Sequence, residues 1–447
     1  MRDLTRGNEA KVIVRFAIPM LLGNVLQQMY HIVDTIIVGN YIGKQALGAV
    51  GASFPIIFVM VSLIIGISSG ITIVIAQYFG AKNILKVKQA IDTMYVFLFF
   101  ASFLVAIAGI SFSGYIFRLI DLPEEIIPYA KSYFNIFSGG IITLFGFNST
   151  SAVLRGLGDS KTPLFFLIIS TLLNVGLDLL FVLVFGWGIK GVAYATIIAQ
   201  GLSFLLAVLY LNKYHQLIKI SFVNLDFNKD VFYKSIRIGL PTGLQQMFVA
   251  LGMMALFRIV NIFGTNVVAA YSVAGRIDSF AVMPSMNFSA ALSTFVGQNL
   301  GAKKPQRVRK GMLSTFAVTA SISITITAIA FLFGKELMDL FTDDPKVIQI
   351  GKEYLQIVSA FYIVFSSMFV FTAVFRGAGD TIPPMIITLF SLWLIRIPAS
   401  YFLSLSFEET GIWMGIPSAW LIGMIFSAIY YKTGKWKNKV VTRTLED

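Results

Sequence analysis

Across 447 residues, 57% of the side chains are hydrophobic and 13% are charged, with a mean hydropathy of +0.80. A soluble domain carries roughly 25% charged residues, so this composition reads as an all-α polytopic membrane protein. Cysteine is absent, which excludes disulfides, thiolate metal sites and thiol catalysis, and two histidines, His31 and His215, are too few for a histidine metal cluster.

A membrane crossing needs about 20 mostly apolar residues at 1.5 Å rise each. In chain order, apolar runs near 12–38, 49–77, 90–114, 127–153, 163–186 and 190–212 predict six crossings. Runs near 232–261, 268–297, 311–334, 347–373, 384–405 and 411–431 predict six more. The polar stretch 213–231 reads as a cytoplasmic linker between a six-helix lobe over 1–212 and another over 232–447. Residues 1–11 are polar and the first apolar run is too long for a leader peptide, so no cleavable signal is expected.

The net charge of +13 would suit nucleic acid in a soluble protein, but here the basic residues sit between apolar runs. Headgroups and topology account for them, and no nucleic-acid partner is expected. An even number of crossings puts both termini on one side. That side carries 25 Lys and Arg, the other 7, and three (Arg258, Arg276, Arg396) fall within or at the ends of spans. The positive-inside rule therefore predicts cytoplasmic termini in an inner (plasma) membrane. The opposite loops are acidic, with Asp121, Glu124, Glu125, Asp339, Asp343, Asp344, Glu408 and Glu409.

The halves repeat at an offset of 221 or 222. Arg155-Gly-Leu-Gly-Asp159-Ser-Lys-Thr-Pro163 recurs as Arg376-Gly-Ala-Gly-Asp380-Thr-Ile-Pro383, and Gln77-Tyr-Phe-Gly-Ala-Lys82 as Gln298-Asn-Leu-Gly-Ala-Lys303. Pro19 pairs with Pro241, and Tyr133 with Tyr354. Six crossings per repeat imply a pseudo-two-fold axis along the membrane normal, the plan of transporters with parallel repeats. In the first repeated motif, Gly156 and Gly158 are expected to end one helix in the left-handed conformation. Asp159 or Ser160 then caps the next, with Pro163 in its first turn.

Over essentially its whole length the chain resembles the multidrug and toxic compound extrusion (MATE) family. The matching features are the 6 + 6 arrangement, the helix-bending Pro19 and Pro241, and the twin motifs. The first half is most similar to the prokaryotic DinF-type branch. The resemblance implies an antiporter that expels amphipathic, often cationic, organic compounds in exchange for protons or sodium ions. It also implies a first-lobe cation site built from Asp34, Asn174 and Asp178, joined by Asn148 and Thr196. In the NorM-type branch the second lobe carries acidic residues on spans seven and ten. Here Val249 stands in that place on span seven and span ten has Glu353 only near its outer end, so no second-lobe cation site is expected.

Read by itself, the buried polar pattern points the same way. An aspartate at the bilayer centre costs about 2.5–3.5 kcal/mol on insertion scales, so Asp34 and Asp178 need a reason to be there. Asn24, Gln27, His31 and Asp34 follow helical spacing with Tyr30 a turn before Asp34, and Asn174 and Asp178 share a face four residues apart. Two carboxylates brought together cannot both ionise cheaply, which suits proton exchange. With amide and hydroxyl oxygens they equally suit a hard cation such as sodium. Asn148 and Thr196 alone also fit a helix-locking hydrogen-bond network. His31 and Gln27 are accessory candidates, His31 reading first as a structural donor and second as a proton relay. Asp92, at the cytoplasmic entry of span three, is expected to meet water or nearby lysines.

The second half carries Arg258, Arg276 and Arg396 instead, with Arg396 at the position of Asn174. Arg276 and Asp278, two apart on one helix, cannot face each other and need other partners. Met247, Met253, Met254, Phe257, Met283 and Met286, with Arg276 and Asp278, are candidates for a cavity or gate, since thioethers repack around varied ligands. No phosphate-cradling loop occurs, so an ATP-driven pump is excluded, and no nucleophile–base pair supports an enzyme. A flippase for lipid-linked oligosaccharide or peptidoglycan precursors is the competing expectation, and would call for a strongly cationic cavity. Small organic substrates, a monomer and no cofactor beyond the coupling ion complete the reading.

Overall fold

A computed structural model describes residues 3–120, 122–214 and 225–442; Asp121, His215 and most of the expected linker lie outside the described residues. All regular structure among those residues is helical. The first half holds α1 (Glu9–Ile37), α2 (Lys44–Gly80), α3 (Ile84–Leu119), α4 (Ile127–Gly139), α5 (Ile141–Gly156), α6 (Lys161–Leu179) and α7 (Gly188–Tyr214). The second holds α8 (Lys229–Val260), α9 (Thr265–Gly301), α10 (Pro305–Asp339), α11 (Pro345–Ser359), α12 (Tyr362–Ala378), α13 (Ile382–Leu389) and α14 (Ile397–Thr433).

The helices begin where the sequence offers caps for their first unpaired N–H groups. Asn8 accepts from Lys11 N at 3.1 Å, and its counterpart Asn228 from Val231 N at 3.1 Å. Asn83 caps α3 and Asp344 caps α11, with Pro345 in the first turn. Several crossings are broken. The pairs α4–α5 and α11–α12 bend by 50° and 47°, and each makes one span. The run Ile382–Thr433 breaks at Phe407 and Glu408 into two. Counted this way and with the long, more polar α9, the described residues contain the twelve expected crossings. Wide turns of π geometry close α1 at Val38–Ile42, follow α6 at Leu180–Val184, and join α13 to α14 at Phe390–Arg396.

Contacts sort the chain into two compact units, Leu22–Gly243 and Asp3–Leu21 with Leu244–Asp447. The expected lobes, 1–212 and 232–447, therefore exchange the opening halves of their first helices. In the first unit the cause is visible in α2 and α8. Gly66 and Gly70, one turn apart, oppose Gly239 and Gly243, and a Cβ on Gly66 would meet Gly243 N at 2.2 Å. With so little attraction between apolar side chains in lipid, close backbone approach of this kind is a main source of helix association. In the second unit, Leu4, Ile13, Phe16 and Ala17 join Phe295, Phe375 and Trp436 in one core. The segment before α1 is pinned by Leu4 N to Gln298 Oε1 at 2.9 Å and Lys304 Nζ to Thr5 O at 3.0 Å. Arg307 adds an ion pair with Glu9 at 3.0 Å.

The repeated motifs reach the same backbone. Lys82 and Lys303 both take positive φ, 59° and 56°, at the end of the Gln-x-x-Gly-Ala-Lys segments. In the Arg-Gly-x-Gly-Asp turns, Gly158 and Gly379 are left-handed, at φ 81° and 89°. Gly156 is not, contrary to expectation; it stays helical because its role is close packing. A Cβ there would meet Ile75 at 2.9 Å, and one at Gly377 would meet Ser293 O at 2.5 Å. Asp159, not Ser160, caps α6, accepting from Lys161 N and Thr162 N at 3.1 Å. Its counterpart Asp380 accepts from Tyr430 Oη instead.

Gly66→Ala is expected to cost at least the 1–3 kcal/mol or so of an overpacked core. Gly51→Ala, in the same helix with nothing within 4 Å of its Cβ, is expected to be neutral or slightly stabilising. Thermal unfolding of the two variants in micelles checks the pair.

Candidate functional site

Three helices of the first unit meet at a polar cluster. The 3.6-residue period of α6 places Asn174 and Asp178 on one buried face. α1 brings Tyr30 and Asp34, again one turn apart, and α7 brings Thr196. The Tyr30 hydroxyl lies 3.3 Å from Thr196 Oγ1, and Asn174 Nδ2 donates to the same oxygen at 3.4 Å. Thr196 Oγ1 itself donates to Val192 O at 3.1 Å. Asp34 lies beside Asp178 and Tyr30, and Tyr133 of α4 borders both carboxylates.

What remains unsatisfied is the telling part. Asp34 Oδ1, both Asp178 carboxylate oxygens and Asn174 Oδ1 are buried with no hydrogen-bond donor among the described residues. Lone pairs left without a donor in an apolar interior are costly, and carboxylates most of all. All four atoms are acceptors, so the cluster calls for positive charge: a proton on a carboxyl, or a hard cation coordinated by oxygen.

The other expected residues are placed less centrally. Asn148 Nδ2 donates back to Leu144 O of its own helix at 2.9 Å, with no bond to the carboxylates among the described residues. His31 and Gln27 are exposed on α1; the His31 ring packs against Tyr30 at 5.0 Å and Phe54 at 6.3 Å. Pro19 and Pro241 lie inside α1 and α8 as expected. Asp92 does not sit in water, since it is buried and accepts from Asp226 N at 3.5 Å, but the expected lysine is present, with Lys88 close enough to act on its charge. Tyr133 was not singled out for the site, although its pairing with Tyr354 across the repeat was the available signal.

In the second unit Asp278 accepts from Tyr362 Oη at 2.6 Å, its needed partner. Tyr354 and Arg396 lie close by, and Tyr271 stacks on Trp413 with the rings 3° from parallel. Arg376 finds Gln245 Oε1 at 2.8 Å. A groove of about 510 Å³ is lined by Met253, Met254, Phe257, Tyr271 and Arg276 with three small residues; Met247, Met283 and Met286 lie elsewhere. A second groove, of about 1090 Å³ in the first unit, is ringed by Tyr129, Phe181, Trp187 and Tyr194 and does not include the carboxylates.

The family model described as MatE matches residues 19–180 and again 241–402. The probable multidrug resistance protein YpnP of Bacillus subtilis (strain 168) is 35% identical over 97% of each chain. The probable multidrug resistance protein NorM of Thermotoga maritima is 29% identical over 96% of this chain and 94% of its own. Among solved structures, an outward-facing multidrug resistance MATE family transporter of the MOP superfamily superposes with a TM-score of 0.91. It is 23% identical, over 97% of this chain and 98% of that one, and so supports the fold.

Thr196→Val removes the oxygen shared by Tyr30 and Asn174. Hydrogen bonds of this kind in membranes average about 0.6 kcal/mol, so a small loss is expected. A double-mutant cycle of Thr196→Val with Tyr30→Phe, followed by unfolding in micelles, is expected to show coupling of about that size.

Proposed function

The chain belongs to the MATE family, and from that premise we propose that it is a cation-coupled antiporter exporting amphipathic, chiefly cationic organic compounds by alternating access. The relatives' multidrug resistance names and the acidic first-lobe cluster support this reading. The observation that carries it is the set of four orphaned acceptors on Asp34, Asp178 and Asn174. A cation entering from one side of the membrane satisfies them; its departure leaves the acids attractive to a positively charged substrate. Binding energy then exchanges between ion and substrate, which is the linkage an antiporter requires. Asp34 and Asp178 hold the charge in this scheme. Tyr30, Asn174 and Thr196 orient the acids, and Tyr133 closes the cluster.

Either a proton or a sodium ion fits such an oxygen set. The protein works in the plasma membrane with both termini in the cytoplasm. A flippase for lipid-linked precursors finds less support, because the buried site of the first lobe is acidic and repels a pyrophosphate.

In proteoliposomes, uptake of a lipophilic cationic dye is expected under an imposed proton or sodium gradient. Asp34→Asn and Asp178→Asn are each expected to abolish it while leaving folded protein in the membrane. Full gradient-driven uptake in either variant would remove the assignment.

A further inference from the structure

The closing stretch 432–447 carries five basic residues, Lys432, Lys435, Lys437, Lys439 and Arg443, against two acids, Glu446 and Asp447. Shifted back by the repeat offset of 221, the four lysines fall within 211–218, where Lys213 is the one lysine or arginine. The duplicated scaffold therefore does not require them, and their presence in the second half has another use.

The fold sets these lysines on a platform. Gly434, left-handed at φ 69°, ends α14, and Lys435–Lys439 follow as a 3-10 turn. Trp436 holds the turn in place, buried in the core it shares with Leu4, Val308 and Phe375. Its ring stacks on Tyr431 with the planes 17° apart, and its Nε1 donates to Tyr431 O at 3.2 Å. Around that anchor Lys432, Lys435, Lys437 and Lys439 are exposed. So are Arg309 and Lys310 of α10, whose Val308 and Met312 pack in the same core. Nearby acids are engaged elsewhere: Glu9 with Arg307, Asp3 with Arg6, and Asp380 with Tyr430. None of the four lysines has a carboxylate within ion-pairing distance among the described residues.

We infer that this turn is a binding surface for the phosphodiester headgroups of anionic lipids in the leaflet that faces the cytoplasm. Basic residues just past a crossing act at headgroup level, where each strengthens attraction to an anionic leaflet by about fivefold. Tyr431 and Trp436 are the residue types that sit at that level. A loose tail would lose freedom on binding, whereas here Trp436 has already fixed the chain that carries the lysines. Ammonium groups meet phosphate as point charges, so the surface selects for headgroup charge and not for a particular geometry. The inference rests on the cytoplasmic orientation proposed above and adds a partner to it.

The chain has no cysteine, so Thr442→Cys gives a single site for a fluorophore just behind the turn. The labelled full-length protein is reconstituted in phosphatidylcholine vesicles with increasing shares of nitroxide-labelled phosphatidylglycerol or phosphatidylcholine, the nitroxide placed on the acyl chain near the glycerol. Half-quenching is expected at about a fivefold lower share of the phosphatidylglycerol, or less. Exchange of Lys432, Lys435, Lys437 and Lys439 for Gln should abolish that preference, and exchange for Arg should keep it, with thermal unfolding unchanged in both. Excess soluble glycerol phosphate should not compete. Equal quenching by the two lipids, a preference that survives the Gln exchange, or full competition by glycerol phosphate would overturn the inference. Orientation is read separately, by reaction of Thr442→Cys with an impermeant maleimide in intact cells. Labelling there would defeat the proposed topology and the choice of leaflet, while headgroup preference in vesicles is independent of it.

Discussion

The hydrocarbon core offers no water to a polar atom, and the rest of the structure follows from that constraint. Backbone groups must pair within their own segment, which makes every crossing a helix. Side-chain hydroxyls return protons to carbonyls of their own helix, as Ser53, Thr150 and Thr315 do. Helices then associate through close backbone contact, which is why Gly66 and Gly70 face Gly239 and Gly243. Against this background the fifteen buried side-chain atoms left without a partner among the described residues matter most where they are charged and clustered. Asp34, Asn174 and Asp178 supply four of them in one place.

The duplicated architecture shows how one scaffold diverges in its chemistry. Tyr133 and Tyr354 are both buried at equivalent positions. Around Tyr133 stand two acids; near Tyr354 stand Asp278 and Arg396, with Arg396 at the position of Asn174. The first lobe therefore keeps unbalanced acceptors. The second holds its acid with a tyrosine hydroxyl and keeps an arginine nearby. It is on this difference in charge that the proposed cation-coupling role is placed in the first lobe.

Much of this was legible in the sequence because it is written in local signals. Apolar run length gave the crossings, the twin Arg-Gly-x-Gly-Asp motif gave one helix cap, and aspartates inside apolar runs marked the candidate site. What stayed hidden depends on partners far away in the chain. Nothing near Asp278 announces Tyr362, 84 residues on, and nothing near Arg376 announces Gln245. The glycines at 239 and 243 look like any others in a membrane helix until α2 is set against them, so the exchange of first-helix halves was not foreseen. Gly156 departs from its expected conformation for a related reason. Helix-ending and helix-packing glycines have the same side chain, and only the neighbour at Ile75 separates them.

The central claim is that Asp34 and Asp178 form one site shared in turn by a cation and a substrate. It is tested most directly by measuring ion release when a lipophilic cationic dye binds to the purified protein in weakly buffered micelles. Protons are followed with a pH indicator and sodium by release of a radioactive tracer. The account predicts release of one of these ions on dye binding, and its loss when either aspartate is replaced by asparagine. Dye binding with no release of either ion, or release that persists in both variants, would contradict it.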